Sequence, residues 1–453
     1  MTTKMAGSRT VELLKKDERF FHPFGVVGEK SRMVWERGDG AKLWDTEGHQ
    51  VIDVSSAYAQ CGHLGYARKE INEAVYRQMQ QLSQMFMQPP HTTPIAAEYA
   101  YELTEALPDH LNHVFFTNSG TESTENSVKI ARFYWSCQNQ MGKYKVISLD
   151  EAYHGASHFA ASICGWPYVR TAMGLEFPGI VRAPRYHCYR CPFNLKYPAC
   201  GIACAHYVEK IIETEGPESI ACMIAEPIQG YAGVIWPPEE YWPIVSQILS
   251  DHDILLISDE VQTGFCRTGK FWGVANFALA PDLLYMGKGI NSMYLPLGAV
   301  AVSDKVFKAI QGQEFVGGGT SCGDAAALAS GLAALKIYQQ EKLDQRATEL
   351  GEHARKRLVE EFLPLPCVDD VMGKGLYQSF EIALNKTTGS RFNPPAQAKV
   401  REEVFWKLIE RGVFARIDHD RRVYFTPPLT ITAEELDRAL DILLRTMKEV
   451  KPL

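Results

Sequence analysis

Nowhere in these 453 residues does an apolar run approach the roughly 20 residues needed to cross a bilayer, although 46% of the chain is hydrophobic. A membrane-spanning helix is therefore not expected. Basic clusters are equally scarce: the formal net charge is −7, and the short run "ARKR" at 354–357 falls in a helical pattern whose solvated face it forms. That argues against a nucleic-acid surface. The opening residues, "MTTKMAGSRTVELLKKDERFF", carry charge where a secretory signal has an apolar core, so the expected setting is cytoplasmic. Eleven cysteines, an odd number in a long chain without such a signal, are expected to be mostly reduced thiols rather than a disulfide framework. Internal repeats and low-complexity tracts are absent as well.

What remains is ordinary globular composition, 22% charged with 35 Gly and 24 Pro, and enough chain for two or three domains. Short β-rich runs recur at "HVFF" (113–116), "KVISL" (145–149), "IVRAP" (180–184), "CMIAEP" (222–227), "ILLIS" (254–258), "LLYM" (283–286) and "GAVAVS" (298–303). Helical patterns such as "ESTENSVKIARFYWS" (122–136) and "EYWPIVSQILSDH" (240–252) lie between them. Strands alternating with helices predict an α/β fold with a mainly parallel sheet. The expected organisation is a large domain over 66–325 and a smaller α+β domain built from both termini, 1–65 with 326–453.

Polar residues follow the apolar runs at once. "TNSGTESTEN" comes after "HVFF", "DEAYHGAS" after "KVISL", "DEVQTG" after "ILLIS", and "GKG" after "LLYM". Ligands of open α/β sheets bind beyond the carboxyl ends of the strands, so these four ends read as one pocket. Ser119 and Glu122 fit the S-x-x-E capping box of a helix start, with Gly120 for the turn. A helix N-terminus with small hydroxyl residues is a seat for phosphate, though such caps are also common without one. Asp259 ends a buried run and needs a cationic or hydrogen-bonding partner. A protonated pyridine nitrogen would serve, and so would a structural ion pair. Lys288, between Gly287 and Gly289, would have its amine pKa lowered by burial and so favour the neutral nucleophile that forms an imine with an aldehyde. A snorkelling surface lysine is the plain alternative. Phosphate seat, ring-nitrogen acid and imine lysine together are the parts that hold pyridoxal phosphate.

With those residues in hand, the sequence resembles the class III aminotransferases, fold-type I pyridoxal-phosphate enzymes that include ω-amino acid and amine–pyruvate transaminases. The resemblance runs from "KLWDTEGHQVIDV" to "TPPLTITAEELDRAL" and is strongest in "LLISDEVQTGFCRTGKFWGVANFALAPDLLYMGKG". It implies a seven-stranded large domain and pyridoxal 5′-phosphate as cofactor. Ser119, Gly120 and Thr121 would bind the phosphate, Tyr153 would stack on the pyridine ring, and Val261 would pack on its other face. Asp259 would face the ring nitrogen, Gln262 the ring hydroxyl, and Glu226 also belongs to the implied cofactor contacts. Lys288 would be the Schiff-base lysine and proton shuttle. Thr320 would reach the phosphate of a neighbouring subunit, which implies a homodimer with shared sites. The implied reaction moves an amino group from an amine donor to a 2-oxo acid, most readily pyruvate, with ping-pong kinetics. An aminomutase or a decarboxylase using the same cofactor is the near alternative, and a non-catalytic binding protein with a zinc-bound insert the distant one.

Departures bear on substrate. Tyr424 stands where many members place a carboxylate-binding arginine. Arg416 looks like the mobile arginine of the amine–pyruvate enzymes, with Arg421 and Arg422 as rivals. Ala57 replaces a tryptophan, Tyr58 offers an aromatic wall instead, and Ser321 and Ala325 replace an aromatic residue and a proline. "GFCRTGKF" (264–271) nearly spells a P-loop but has Phe271 where Ser or Thr would hold magnesium, and "GKGINS" lacks the third glycine of a dinucleotide fingerprint. Cys188, Cys191, Cys200 and Cys204 could hold zinc, or serve equally as buried free thiols; no metal ligand is assigned.

Overall fold

The computed structural model describes residues 7–24, 27–171, 174, 176–383, 394–418 and 422–450. It divides into two compact units, one of Met1–Arg68, His353–Val371 and Phe380–Leu453, the other of Lys69–Glu352 and Met372–Ser379.

The larger unit is built on seven strands: β1 (His113–Thr117), β2 (Lys145–Leu149), β3 (Ile180–Ala183), β4 (Ile220–Ala225), β5 (Leu255–Asp259), β6 (Leu283–Met286) and β7 (Gly298–Val302). Their spatial order is β1-β7-β6-β5-β4-β2-β3. Every neighbouring pair is parallel except those involving β7, which runs antiparallel to both β1 and β6. Strands β4 to β7 are buried along their whole length, which is why they read as unbroken apolar runs rather than as alternating patterns.

Helices that matter for the site are α1 (Lys69–Gln81), α2 (Pro94–Glu105), α3 (Gly120–Cys137), α4 (Ala203–Glu215), α5 (Tyr241–Asp251) and α6 (Ala325–Gln340). Helix α3 lays Val128, Ala131 and Trp135 against Val146, Ala221, Ile257 and Val300 of the sheet. Trp135 also donates its indole N–H to the Ala221 carbonyl at 2.8 Å. Each such buried apolar side chain contributes about 1.5–3 kcal/mol of transfer free energy. The packing fixes the start of α3 against the strand ends.

Helix α6 lies beyond the boundary expected at 325, yet it belongs to the larger unit. Its first eight residues are all buried, and it packs on α1 and α2. Gly331 permits this approach, because a Cβ there would stand 2.6 Å from the Tyr99 ring of α2.

In the other unit, strands Trp35–Asp39, Lys42–Asp45 and Gln50–Asp53 form an antiparallel meander, and Val413–Phe414 adds in parallel beside Gln50–Asp53. N- and C-terminal segments thus share one sheet. Its last helix, Ala433–Lys448, starts with a complete capping box of Thr432 and Glu435. Among the described residues no helix is long and apolar enough to cross a membrane.

Candidate active site

The chain leaves β1 and turns into α3 at Ser119, whose Oγ accepts the Glu122 N–H at 3.2 Å. Glu122 does not close the box on Ser119 as the spacing predicts. Its carboxylate turns back one residue further, to the N–H (2.8 Å) and side-chain amide (2.9 Å) of Asn118. The backbone N–H groups of Gly120 and Thr121 begin the helix, where no intrahelical acceptor exists, and so form an anion-attracting end.

Three strand ends meet at this helix start. A Cβ on Gly120 would sit 2.9 Å from Val261 Cγ2, just after β5, and a Cβ on Gly287, just after β6, would sit 3.0 Å from Gly120 N. Both positions need glycine because of close approach, by the Val261 side chain at Gly120 and by the Gly120 backbone at Gly287, and not because of an unusual φ. Gly155, in the loop after β2, lies as close: a Cβ there would stand 2.8 Å from Thr121 Oγ1.

Asp259 ends β5 with its side chain only 4% exposed. Oδ1 accepts the Val261 N–H at 2.9 Å, while Oδ2 lies 2.8 Å from His154 Nδ1 and accepts the Tyr285 hydroxyl. His154 is itself buried, its carbonyl accepts the Thr124 hydroxyl at 2.6 Å, and its Nε2 has no hydrogen-bond partner. The expected need of Asp259 for a partner is thus met by a histidine and a phenol. Neither was singled out from sequence, although Tyr285 is the register partner of Asp259 across β5 and β6.

Glu226 follows β4 and is buried. Its Oε1 accepts the Tyr153 N–H at 3.1 Å and its Oε2 the Gly230 N–H at 2.7 Å. Burial, and then the neighbouring charge of Asp259, pushes this carboxyl up to about 7. Burial pushes Glu260 up to about 7 as well, against the donors Thr263 Oγ1, Val274 N and Gly273 N. The role of Glu260 is structural, since it ties the end of β5 to the turn Gly273–Asn276. Gln262 accepts the Tyr377 hydroxyl at 2.9 Å.

Lys288 is half-buried and opens a single 3₁₀ turn, Lys288–Ile290. Its φ of +38° is a left-handed conformation that a lysine adopts only when its surroundings enforce it. They do so here: Tyr338 Oη donates to the Gly289 carbonyl at 2.7 Å, Ile290 N–H to Gly287 at 2.9 Å, and Met293 N–H to the Lys288 carbonyl at 3.2 Å. The larger unit thus brings Ser119, Gly120, Thr121, Tyr153, Glu226, Asp259, Val261, Gln262 and Lys288 to the carboxyl ends of its sheet. These groups fit pyridoxal phosphate: a helix end for the phosphate, glycines that draw the strand ends together at that helix end, a buried carboxylate, and an amine on a rigid turn.

Thr320 is exposed. Its loop hangs on α3 through Gly318 N–H to Asn126 Oδ1 (2.9 Å) and Cys322 Sγ–H to Glu122 Oε1 (3.3 Å). Burial pushes the Cys322 thiol up to about 11.

Tyr58 and Arg416 belong to the other unit. Tyr58 is 45% exposed and stacks on Phe414, centroids 5.7 Å apart. It rides on a turn in which Ser56, Ala57, Tyr58 and Gln60 all have positive φ. Asp53 holds that turn, accepting from Ser55 N (2.8 Å), Ala57 N (2.6 Å) and Tyr66 Oη (2.7 Å). The Arg416 guanidinium lies 5.0 Å from the Tyr424 ring centroid and 5.9 Å from that of Tyr58, with Gln60 Oε1 at 3.4 Å. Arg422, offered as a rival, is buried against Asp370 (2.6 Å) and Glu381 (3.4 Å). Arg421 lies outside the described residues.

Cys188, Cys191, Cys200 and Cys204 line one small cavity and all are free thiols. Burial pushes Cys204 up to about 11. Among the described residues, no three His, Cys, Asp or Glu side chains are placed to hold a metal ion.

Comparison with known proteins places this geometry in a family. The family model described as Aminotransferase class-III matches residues 26–447. The chain is 33% identical over 444 residues to the putrescine–pyruvate aminotransferase of Pseudomonas aeruginosa, covering 96% of this chain and 95% of that protein. Among solved structures, an (S)-enantioselective omega-transaminase from Thermomicrobium roseum superposes with a TM-score of 0.92 at 33% identity, over 97% of this chain and 98% of that one. A PLP-bound amine transaminase from an uncultivated Pseudomonas species matches with a TM-score of 0.90 at 30% identity, over 95% and 98%.

Proposed function

This chain belongs to the class III aminotransferases, and from that premise we propose that it transfers an amino group from an amine or ω-amino acid to pyruvate by a ping-pong mechanism with pyridoxal 5′-phosphate. One observation carries the reading: Gly120, Val261 and Gly287 close on one another beside Asp259 and Lys288. When bound, pyridoxal phosphate supplies an aldehyde to receive the amino group and an electron-withdrawing ring that acidifies the donor carbon.

The chain's own residues do the rest. Ser119, Gly120 and Thr121 bind the phosphate at the start of α3. Asp259 holds the proton of the ring nitrogen, with Val261 N–H, His154 and Tyr285 fixing its orientation. Tyr153 and Val261 would bound the ring, and Gln262 would meet its hydroxyl. Lys288 Nζ would hold the cofactor through its aldehyde in the resting enzyme and, once free, would be the base that carries the proton of the donor carbon.

Arg416 receives the carboxylate of the acceptor. The rings of Tyr58 and Tyr424 lie beside its guanidinium, aromatic surface that also suits a neutral donor. With Tyr424 in place of a second arginine, pyruvate is the first acceptor and 2-oxoglutarate the second. The relative that acts on putrescine with pyruvate supports this choice. A panel of amines assayed against both keto acids tests it. Arg416→Ala should lose at least about tenfold in kcat/KM for pyruvate, as expected for one charged hydrogen-bonded pair, while the half-reaction with 1-phenylethylamine changes little. Equal losses would remove Arg416 from this role. Failure to pass an amino group to any 2-oxo acid would favour the aminomutase or decarboxylase reading.

A homodimer with shared sites is part of the proposal. Tyr76, Met79, Leu82, Phe86, Tyr101 and Val316 are exposed apolar side chains of the larger unit, and Thr320 is exposed too. If Thr320 serves the partner's phosphate, Lys288→Ala and Thr320→Ala chains, unfolded and refolded together, should regain activity through mixed dimers. Each carries one site that is wild type in both residues. No gain over the separate variants would argue against sharing. Eleven cysteines, all free, suit the cytoplasmic setting proposed.

A further inference from the structure

Tyr153 does not stand alone. Its ring lies against that of Tyr231, with centroids 4.6 Å apart and planes 20° from parallel. The two tyrosines come from different loops, one after β2 and the other after β4, so the stack needs something to bring the loops into register. Glu226 does this. One carboxylate oxygen takes the Tyr153 N–H at 3.1 Å and the other takes the Gly230 N–H at 2.7 Å, immediately before Tyr231. Gly230 is packed so closely that a Cβ would stand 1.8 Å from Tyr377 Oη and 2.4 Å from Gln262 Oε1. That leaves the Tyr231 backbone no room to drift. The Tyr231 ring has further contacts: its hydroxyl lies 2.6 Å from that of Tyr168, and Trp166 meets it edge-on at 6.0 Å.

A carboxylate buried beside Asp259 is costly to keep. Both its oxygens are engaged by the two amides that set the tyrosine pair, which gives the cost a purpose. We infer that Glu226 and Tyr231 are positioning residues that hold the Tyr153 ring at a fixed tilt, the face opposite Tyr231 being presented to the cofactor ring. Glu226 acts by way of the two backbones and Tyr231 by way of the stack. The inference rests on the proposed stacking role of Tyr153, and the experiment separates the two.

Apoprotein of wild type, Tyr153→Ala, Tyr231→Ala, Tyr231→Phe and Glu226→Gln is titrated with pyridoxal 5′-phosphate. The readings are the dissociation constant and the visible circular dichroism of the saturated protein. Loss of one aromatic stack should weaken binding about fivefold in Tyr231→Ala and reduce the dichroism. Tyr231→Phe, which keeps the stack, should restore both. Glu226→Gln, with one acceptor oxygen replaced by an amide donor, should shift both in the direction of Tyr231→Ala. Dichroism at saturation reports the fixed orientation of the ring, which a general loss of stability rescued by neither variant would not reproduce. If Tyr153→Ala weakens binding while Tyr231→Ala matches wild type in both readings, the inference is overturned and the role of Tyr153 stands. If Tyr153→Ala also changes neither reading, the stacking role of Tyr153 fails and the inference falls with it.

Discussion

Lys288→Ala should reduce transamination by at least about 10³-fold, because one substitution removes the residue proposed both as proton carrier, worth about 10² to 10⁴ alone, and as covalent anchor of the cofactor. The fold should survive. Lys288 is only half-buried, and the bonds that shape its turn are made by backbone groups of residues 287–293 and by Tyr338. Alanine at φ +38° adds little strain beyond what lysine already bears. Borohydride treatment of cofactor-loaded wild type, followed by peptide mapping, should mark a single peptide containing Lys288, and the variant should carry no mark. A label on another lysine, or wild-type turnover in the variant, would end the proposed chemistry.

Asp259→Asn should cost about 10² to 10³ in turnover, the usual loss when one prearranged charge at the reacting centre is removed. Asparagine retains an oxygen for the Val261 N–H, so the local chain path is kept. What it loses is the negative charge proposed to hold a proton on the ring nitrogen, and it turns an amide donor toward His154 and Tyr285. Stopped-flow measurement of the donor half-reaction reads the loss directly, and thermal unfolding separates it from misfolding. A variant with the wild-type rate would show that the ring does its work without a protonated nitrogen, contrary to the role given to Asp259.

These two residues were legible in the sequence for a simple reason. Lysine between glycines after "LLYM", and aspartate after "ILLIS", are polar residues where continuous burial has just ended, and a parallel sheet buries its strands along their length. Strands β4 to β7 could be read for the same reason, whereas β1 and β3, at the two edges of the sheet, are mostly half-buried. His154 and Tyr285 were harder to see as partners of Asp259, since that pairing depends on strand order and register: β6 lies beside β5, and Tyr285 faces Asp259 across them. The retreat of Glu122 to Asn118 was hidden in the same way, a choice between acceptors one residue apart that local spacing does not settle. Helix α6 misled for a different reason. Its alanines and glycine suggest a new domain by composition, whereas they allow close packing against Tyr99.

The division of the chain has a practical corollary. Lys288, Asp259 and the phosphate cradle all lie within Lys69–Glu352, whereas Tyr58 and Arg416 lie in the other compact unit, on a turn pinned by Asp53 and on the segment after Val413–Phe414. The proposed substrate contacts and the proposed cofactor contacts therefore have separate handles: variation at Tyr58, Arg416 and Tyr424 leaves Lys69–Glu352 unchanged.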